Sequence, residues 1–175
     1  MNSKNTFKWL FSFVFVLIHF SSFAQQNNKF EETTKNTEQI CNKYILAYFN
    51  MQFDEMATYM HDDFSFQDPT ASLLFGWQFV TPKDTALHFF KTNYSSLLDM
   101  KPKFVREFFS GEQAIYEMNL VFSFYANEKK DIISIEMPLV TVLSLKDNKV
   151  IEHRDYGDYR EYRRQLAEKM KLLNE

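Results

Sequence analysis

The chain has 175 residues, of which 45% are hydrophobic, 18% aromatic and 25% charged, with a formal net charge of -3. This size fits one domain, and the apolar content excludes an intrinsically disordered chain. The glycines Gly76, Gly111 and Gly157 lie too far apart for a P-loop or a dinucleotide fingerprint. The single cysteine, Cys41, excludes an intramolecular disulfide and a thiolate zinc site, and the acidic balance does not indicate nucleic-acid binding.

The first 24 residues have the pattern of a secretory signal peptide. Lys4 and Lys8 precede an apolar run over Trp9–Phe20, and small residues follow up to Ala24. The run is shorter than the roughly 20 apolar residues that span a bilayer. The pattern predicts removal of residues 1–24, a periplasmic or secreted protein and no stable membrane span; a retained anchor is the alternative. The remaining 151 residues carry 18 basic and 23 acidic side chains, a net charge of -5.

The following part of the chain is predicted to be helical after a flexible extension over residues 25–36. Apolar residues at three- and four-residue intervals predict a first helix from Thr37 to about Asn50. A second helix is predicted over Phe53–Met60, followed by a short strand at Phe64–Phe66. Thr81 and Pro82 have the pattern of a helix start, which predicts a third helix from there to roughly Leu97.

In the second half of the chain the apolar period falls to two residues, which is typical of strands. Four strands separated by short turns are predicted, over Pro102–Ser110, Ile115–Tyr125, Ile132–Leu145 and Lys149–Asp155. Helices followed by an antiparallel meander predict the α+β class. We expect three N-terminal helices on a curved antiparallel sheet, forming a cone-shaped half-barrel over residues 37–160, with a C-terminal helical tail over residues 161–175.

Two segments resemble the nuclear transport factor 2-like superfamily. The segment Tyr44–Pro69, reading YILAYFNMQFDEMATYMHDDFSFQDP, is similar to the helix, acidic turn, helix and D-P signature of ketosteroid isomerases. The segment Lys149–Asp158, reading KVIEHRDYGD, is similar to the final strand of limonene-epoxide hydrolases. Together with the order of the elements, they make the chain resemble the SnoaL-like group, which also includes polyketide cyclases. The resemblance implies an apolar pocket and chemistry without a cofactor.

The same resemblance implies roles for three side chains. Asp68 corresponds to the isomerase general base, Tyr44 to the tyrosine that stabilises an oxyanion, and Asp155 to a hydrolase aspartate that works with a water. A carboxylate that loses water in an apolar cavity has a raised pKa, which suits proton transfer near neutral pH. The structural alternatives are an Asp68 that only initiates a turn, a Tyr44 that only packs in the core and an Asp155 that pairs with a basic residue such as Arg160.

Two departures from the family pattern limit the choice of reaction. Val140 stands where the isomerase has its second acid, which disfavours a steroid-type isomerase. The Arg-x-Asp pair of the hydrolases is replaced by residues 117–119, which contain no arginine, and this disfavours epoxide opening. A polyketide-cyclase-like reaction needs an aspartate and a shaped apolar cleft, so it is less affected.

Four further residues are predicted to contact a ligand. On the last strand the period of two places His153 and Asp155 on one face, which we expect to face inward, about 7 Å apart and too far for a direct bond. Tyr48 and Phe66 are predicted to line the same cavity. Trp77 is predicted to act as a lid over the cavity or as a hydrophobic plug.

Three functions from different classes remain open. The first is a cofactor-free isomerase, cyclase or lyase that uses Asp68 and Asp155 to move protons on a hydrophobic carbonyl compound. The second is a non-catalytic binder of a small hydrophobic molecule, and the third is a structural homodimer packed through the outer sheet face. A histidine and an aspartate two residues apart are common by chance, so no metal is predicted. The expected partners are a small molecule and a second copy of the chain, not nucleic acid.

Overall fold

The computed structural model of the protein describes residues 28–76, 78–128 and 131–173, so the predicted signal peptide and Trp77 lie outside the described residues. The elements in chain order are α1 (residues 28–49), α2 (Phe53–Ala57), β1 (Met60–Asp68), α3 (Ser72–Phe75), β2 (Gln78–Val80), α4 (Lys83–Asn93), β3 (Leu97–Ser110), β4 (Gln113–Tyr125), β5 (Ile132–Lys146), β6 (Lys149–Gly157) and α5 (Tyr159–Leu173). Within the described ranges, none of these helices combines the length and the apolar character needed to cross a membrane.

The strands form one curved, six-stranded sheet in the order β2-β1-β6-β5-β4-β3. Strands β3 to β6 are an antiparallel meander, as predicted, because tight turns join them. Asp147 and Asn148 adopt φ values of 51° and 59° between β5 and β6, the backbone that a two-residue hairpin turn requires. The predicted α+β class, with helices and a curved sheet in one fold, is therefore confirmed.

One pairing makes the sheet mixed rather than fully antiparallel. Strand β1 lies parallel to β6, with Met60 opposite Val150 and Phe66 opposite His153. No short turn joins these two strands, so their direction is set by the path of the chain and not by a hairpin.

The core lies on the inner face of the sheet. Every second side chain is buried along β5, and the same holds in β4 from Ala114 to Leu120, as the period of two predicts. The buried side chains of these strands include Tyr116, Met118 and Leu120 in β4 and Met137, Leu139 and Leu143 in β5. From the helical side, Phe90 of α4 is fully buried, and α1 contributes Tyr44 and Tyr48. Alternation alone therefore identified the face of the sheet that packs inward.

The first helix extends further toward the N-terminus than its apolar spacing indicates. Residues 28–36, expected to be part of an extension without regular structure, are helical. The hydroxyl of Thr34 accepts a hydrogen bond from the backbone N–H of Gly111 at 2.9 Å, and the Asn36 amide donates to Asn148 at 2.7 Å. This end of α1 lies across two hairpin turns. Because polar side chains make these contacts, the sequence here shows no apolar period that would indicate a helix.

Strand β1 begins earlier than predicted, at Met60, where the sequence indicated the end of a helix. The backbone N–H of Val150 donates to the carbonyl of Tyr59 at 2.8 Å, so pairing with β6 begins at this point. Hydrogen bonds to a strand about 90 residues later outweigh the local helical pattern of the methionines.

Helix α4 is shorter than the third helix predicted from the sequence. It ends at Asn93, and Leu97, the predicted end of the helix, begins β3. The residue at its N-cap position is Pro82, without a side-chain cap, rather than Thr81. The Thr81 hydroxyl donates to the carbonyl of Phe64 at 3.0 Å, so it links this helix start to β1.

Candidate functional site

A cavity of about 500 Å³ lies between the inner face of the sheet and the helices. This volume is typical of a small-molecule site. The apolar and aromatic part of its wall comes from β1, the α3 region, α4 and β3 to β5, and includes Phe66, Ala71, Phe75, Phe89, Leu97, Met100, Leu120, Phe122, Phe124, Met137 and Leu139. Asp68 and Asp155, each only 4% exposed, line the same cavity. The fold thus brings together two carboxyl groups that are 87 residues apart in the chain.

Asp155 is held mainly through one of its two oxygens. The Thr141 hydroxyl donates to Oδ1 at 2.5 Å, and Nε2 of His153 lies 2.9 Å from the same atom. Thr141 and Asp155 are directly opposite in the pairing of β5 with β6. The other oxygen, Oδ2, has one long hydrogen bond of 3.4 Å from the Tyr48 hydroxyl. Oδ2 therefore retains the capacity to accept a further hydrogen bond or a proton.

His153 and Tyr44 lie behind Asp155, and neither is part of the cavity wall. The Tyr44 hydroxyl lies 2.8 Å from Nδ1 of His153, and both side chains are fully buried. The arrangement that satisfies every atom has the Tyr44 hydroxyl donating to Nδ1 and Nε2–H donating to Asp155. Burial, and then the charge of Asp155, raise the pKa of Tyr44 well above its usual value, which keeps the phenol a donor. Tyr44 is therefore linked to the cavity only through His153 and Asp155.

The expectation that His153 and Asp155 are too far apart to bond directly is wrong. The value of about 7 Å describes Cα atoms two residues apart on a strand. Side chains on one face of a strand lean along it, and the imidazole ring is long enough to reach the neighbouring carboxylate.

Asp68 forms the turn of the structural alternative and also lines the cavity. Its Oδ1 accepts hydrogen bonds from the backbone N–H groups of Thr70 and Ala71, at 3.1 and 2.9 Å, and from the Thr70 hydroxyl at 2.7 Å. This is the turn expected for an aspartate before proline. Its Oδ2 accepts a hydrogen bond from the Tyr159 hydroxyl. Burial raises the pKa of Asp68, and the hydrogen bonds from Tyr159 and Thr70 oppose that rise.

The C-terminal helix closes one side of the cavity, which the sequence analysis missed. Tyr159 and Tyr162 of α5 both line it, and the Tyr162 ring stacks on Phe122 with 5.4 Å between centroids. Phe75 contacts both tyrosines edge-on. The available signal was that Tyr159 and Tyr162 lie on one face of a helix otherwise rich in charge.

Gln165 fixes the position of α5 on the sheet. Its amide Nε2 donates to the carbonyl of Glu136 at 2.7 Å, and its Oε1 accepts from the Glu136 N–H at 3.2 Å. Strand β6 pairs with β5 only from Leu139 onward, so the edge of β5 before that residue is open for these two bonds. An interaction of this kind protects a sheet edge and orients the helix.

Tyr94, just after α4, is a further residue that the sequence analysis missed. Its hydroxyl lies 2.8 Å from that of Tyr48, so the two tyrosines form a chain that leads to Asp155. Tyr48 and Phe66, the predicted ligand contacts, both line the cavity. In the described part of the chain, no group of three histidine, cysteine or acidic side chains is arranged to hold a metal ion.

Val140, which stands where the isomerase family has its second acid, points away from the cavity. Val140 lies on the outer face of β5, opposite Tyr156, whereas the inward-facing neighbours are Leu139 and Thr141. Neither neighbour is an acid, so the departure from the isomerase pattern holds at the correct register as well.

Replacement of Asp68 by asparagine is expected to remove part of the pH dependence of stability. Burial raises the pKa of Asp68 in the folded protein above its usual value of 3.8, whereas the unfolded chain has the usual value. Between the two values the folded state binds more protons, so the free energy of unfolding falls as pH rises. The advantage of wild type over Asp68→Asn should be largest at acidic pH and decrease as pH rises through the folded-state pKa. Urea unfolding of both proteins across about pH 3 to 8 measures this difference, and a difference independent of pH would contradict the prediction.

The Tyr44–His153 hydrogen bond is expected to appear as coupling in a double-mutant cycle. His153→Phe leaves the buried Tyr44 hydroxyl without its partner, which costs about 1–3 kcal/mol. When Tyr44→Phe is added, no hydroxyl remains to be satisfied, so the second change should cost less than it does alone. We expect a coupling of about 1 kcal/mol in urea unfolding.

A matched cycle with Tyr116→Phe serves as the control. The Tyr116 hydroxyl donates to Asn42 at 2.8 Å and not to His153. Its effect should add to that of His153→Phe within about 0.5 kcal/mol. Equal coupling in both cycles would show that the Tyr44 result is not due to this hydrogen bond.

The comparisons with known proteins agree with this architecture. No protein-family model matches the sequence, and a search of curated proteins found no significant relative. Among solved structures, a candidate SnoaL-like polyketide cyclase from Shewanella putrefaciens CN-32 is 25% identical, with a TM-score of 0.66 over 75% of this chain and 85% of that one. A second candidate SnoaL-like polyketide cyclase, from Shewanella denitrificans OS-217, is 21% identical, with a TM-score of 0.67 over 75% and 97%.

A third similar structure is that of a hydrolase and not of a cyclase. It is an LEH-like epoxide hydrolase of M. tuberculosis, 14% identical, with a TM-score of 0.64 over 80% of this chain and 96% of that one. A candidate ketosteroid isomerase is also similar. The chain therefore has the fold of the nuclear transport factor 2-like superfamily, and it is similar in structure to these SnoaL-like cyclases, isomerase-like proteins and epoxide hydrolases.

Proposed function

We propose that the protein is a cofactor-free acid/base enzyme of this superfamily, an isomerase, cyclase or lyase that moves a proton on a hydrophobic carbonyl compound. Asp155 is the group that takes up and returns the proton. One observation carries the proposal: Asp155 lines an apolar cavity, its Oδ1 is fixed by Thr141 and His153, and its Oδ2 has only one long hydrogen bond.

The chemistry follows from this asymmetry. A carboxylate fixed through one oxygen presents the lone pairs of the other to a C–H group next to a carbonyl. Removal of this proton gives an enolate. When the enolate is conjugated, return of the proton from Asp155 to another carbon gives an isomer. Attack of the enolate carbon on a second carbonyl of the same molecule closes a ring, and the alkoxide formed takes the proton back from Asp155. His153 is a positioning residue in this scheme, since its hydrogen bond with Tyr44 fixes the ring nitrogen that donates to Asp155.

Asp68 and Tyr159 supply the hydrogen bond to the substrate oxygen. Burial raises the pKa of Asp68, so its protonated form persists to higher pH than in an exposed aspartate. When Asp68 is protonated, its O–H donates to the Tyr159 oxygen, and the Tyr159 hydroxyl hydrogen is released toward the cavity. A donor aimed at the substrate oxygen stabilises the charge that develops there.

Hydrogen–deuterium exchange tests the proposal without knowledge of the natural substrate. In D₂O, an enzyme of this kind should accelerate exchange of the protons next to the carbonyl of 4-phenylcyclohexanone, followed by proton NMR. Exchange at the rate of buffer alone, for this ketone and for a panel of ketones that fit the cavity, would overturn the proposal.

A non-catalytic binder is the second candidate, and the state of Asp68 favours it. Both Asp68 oxygens already accept hydrogen bonds from the protein, as they would in a purely structural turn. The same ketones would then bind, as seen by ligand NMR, but without accelerated exchange.

We further propose that two copies associate through the outer face of the sheet. Phe108, Ile115 and Val142 lie side by side across β3, β4 and β5, and Phe108 and Ile115 are 53% and 38% exposed. Nearby charges are already paired, as in the 2.7 Å contact of Arg106 with Glu117. A second copy can therefore cover this apolar strip without burial of an unpaired charge.

Light scattering coupled to size exclusion tests this association. The wild type should be a dimer, and Ile115→Arg should shift it to the monomer. The control is Leu46→Arg, since Leu46 is a 51% exposed apolar residue on α1, away from the sheet. A monomeric wild type, or equal dissociation by both variants, would count against the outer face.

Export through the N-terminal segment is also part of the proposal. Its support is the sequence pattern of residues 1–24. Sequencing of the mature N-terminus should begin at Gln25, and a periplasmic fraction without the protein would argue against export.

A further inference from the structure

The charged groups of the cavity all have one sign. Among the residues that line it, within the described ranges, the ionisable groups other than tyrosines are the two carboxyls of Asp68 and Asp155, with no lysine or arginine. Burial of an ionised carboxylate without a cation is costly. For Asp68, four donated hydrogen bonds reduce this cost, whereas Oδ2 of Asp155 receives only the 3.4 Å bond from Tyr48.

The donors in the wall are largely engaged within the protein. The Tyr159 hydroxyl donates to Asp68, and the Tyr48 hydroxyl, in contact with that of Tyr94, points to Asp155. The side-chain amides follow the same rule, as Gln78 donates to the carbonyls of Phe75 and Gly76 and Asn93 donates to that of Phe89. Apart from the Tyr159 hydroxyl, which only a protonated Asp68 would release, the cavity offers a ligand mainly acceptors, and the least satisfied of them is Asp155 Oδ2.

The rest of the wall suits a cation with an apolar body. Aromatic rings surround the carboxyls, including Phe66, which packs within 5.7 Å of Phe89, and Tyr162, which stacks on Phe122. Aromatic faces attract cations, and the attraction grows when water is excluded. The wall therefore combines a hydrophobic surface with negative charge and negative ring faces.

We propose that the ligand of this cavity carries a protonated amine, whose N–H group donates to Oδ2 of Asp155 while its apolar part lies against the aromatic wall. The inference rests on the proposed function only in using the same cavity. It specifies the chemical class of the ligand as a hydrophobic amine. Because this amine would occupy the same oxygen that takes the proton in the proposed enzyme, the inference applies to the cavity of the binder, the second candidate above.

A matched pair of probes tests the charge alone. 4-Hydroxybenzylamine and 4-ethylphenol have the same shape. At pH 7 the first carries an ammonium group where the second has a methyl group. Isothermal titration of the full-length wild-type protein should give an affinity about tenfold or more higher for the amine, since cation–π contacts and a buried carboxylate both favour it. This comparison requires no variant and is independent of turnover.

Asp155→Asn should then remove most of the preference. The amine affinity should fall about tenfold, while that of 4-ethylphenol should stay within about twofold. The control is Asp54→Asn, because Asp54 is an exposed acid of α2 that pairs with Lys91 at 2.6 Å, away from the cavity wall. This variant should keep the full preference.

Each other outcome overturns the inference. Equal affinities, tighter binding of 4-ethylphenol, binding of neither probe, or a preference that Asp155→Asn leaves intact would each contradict it. Accelerated ketone exchange together with equal affinities would leave the proposed enzyme standing and reject the amine. A clear amine preference without exchange of any ketone would do the reverse.

Discussion

Asp155→Asn is expected to lower the rate of ketone proton exchange by about 10²- to 10⁴-fold, the usual contribution of a general acid or base. An asparagine amide has the shape of the carboxyl group but cannot take up a proton. Its carbonyl can still accept the bonds from Thr141 and His153, so the fold should be retained. Affinity for a neutral ketone should change by less than about threefold, because a neutral ligand makes no ion pair with this residue.

The exchange rate in D₂O and the ligand affinity are measured on the same samples. Asp54→Asn on the surface serves as the matched control and should leave both unchanged. If Asp155→Asn keeps exchange within about tenfold of wild type, Asp155 is not the proton-transferring group. If Asp68→Asn in turn abolishes exchange, the base is Asp68, and Asp155 has the orienting role.

Phe90→Ala is expected to lower the free energy of unfolding by about 3–5 kcal/mol. Phe90 is fully buried on α4, and its ring lies 5.5 Å from Tyr48, 5.0 Å from Phe66 and 5.9 Å from Phe53. The three neighbouring rings belong to three different segments, so the space left by the deletion cannot close by movement of one side chain. Urea unfolding of the purified variant measures the loss.

Two controls bracket this result. Phe90→Leu retains most of the volume and should cost about 1.5 kcal/mol or less. Phe79→Ala removes the same side chain at a position 48% exposed and should stay within about 1 kcal/mol. A Phe90→Ala variant as stable as Phe79→Ala would contradict the assignment of Phe90 to the centre of the core.

The class of fold and the inward face of the sheet can be predicted from the sequence. In β4 the burial of Tyr116, Met118 and Leu120 follows directly from the period of two, because successive side chains of a strand point to opposite faces. The tight turn at Asp147 and Asn148 can also be predicted from the sequence, because both residue types tolerate the positive φ that the turn requires.

The local pattern failed where distant contacts decide the backbone. Met60 resembles the end of a helix, yet it begins a strand because it pairs with Val150 of β6. The N-terminal end of α1 has no apolar period, and its helix lies against the turns at Gly111 and Asn148 through polar contacts. No window of neighbouring residues contains this information.

The sequence by itself indicated the candidate residues of the site: two aspartates, a histidine and a set of aromatic residues on elements that converge. Only the tertiary structure decided which contacts these residues make. His153 bonds Asp155, Asp68 is held by both a turn and Tyr159, and α5 closes the cavity. The physical reason is that strand and helix periods fix the face of an element on which a Cα lies. The reach of each side chain, and the partner it meets, depend on packing between segments far apart in the chain.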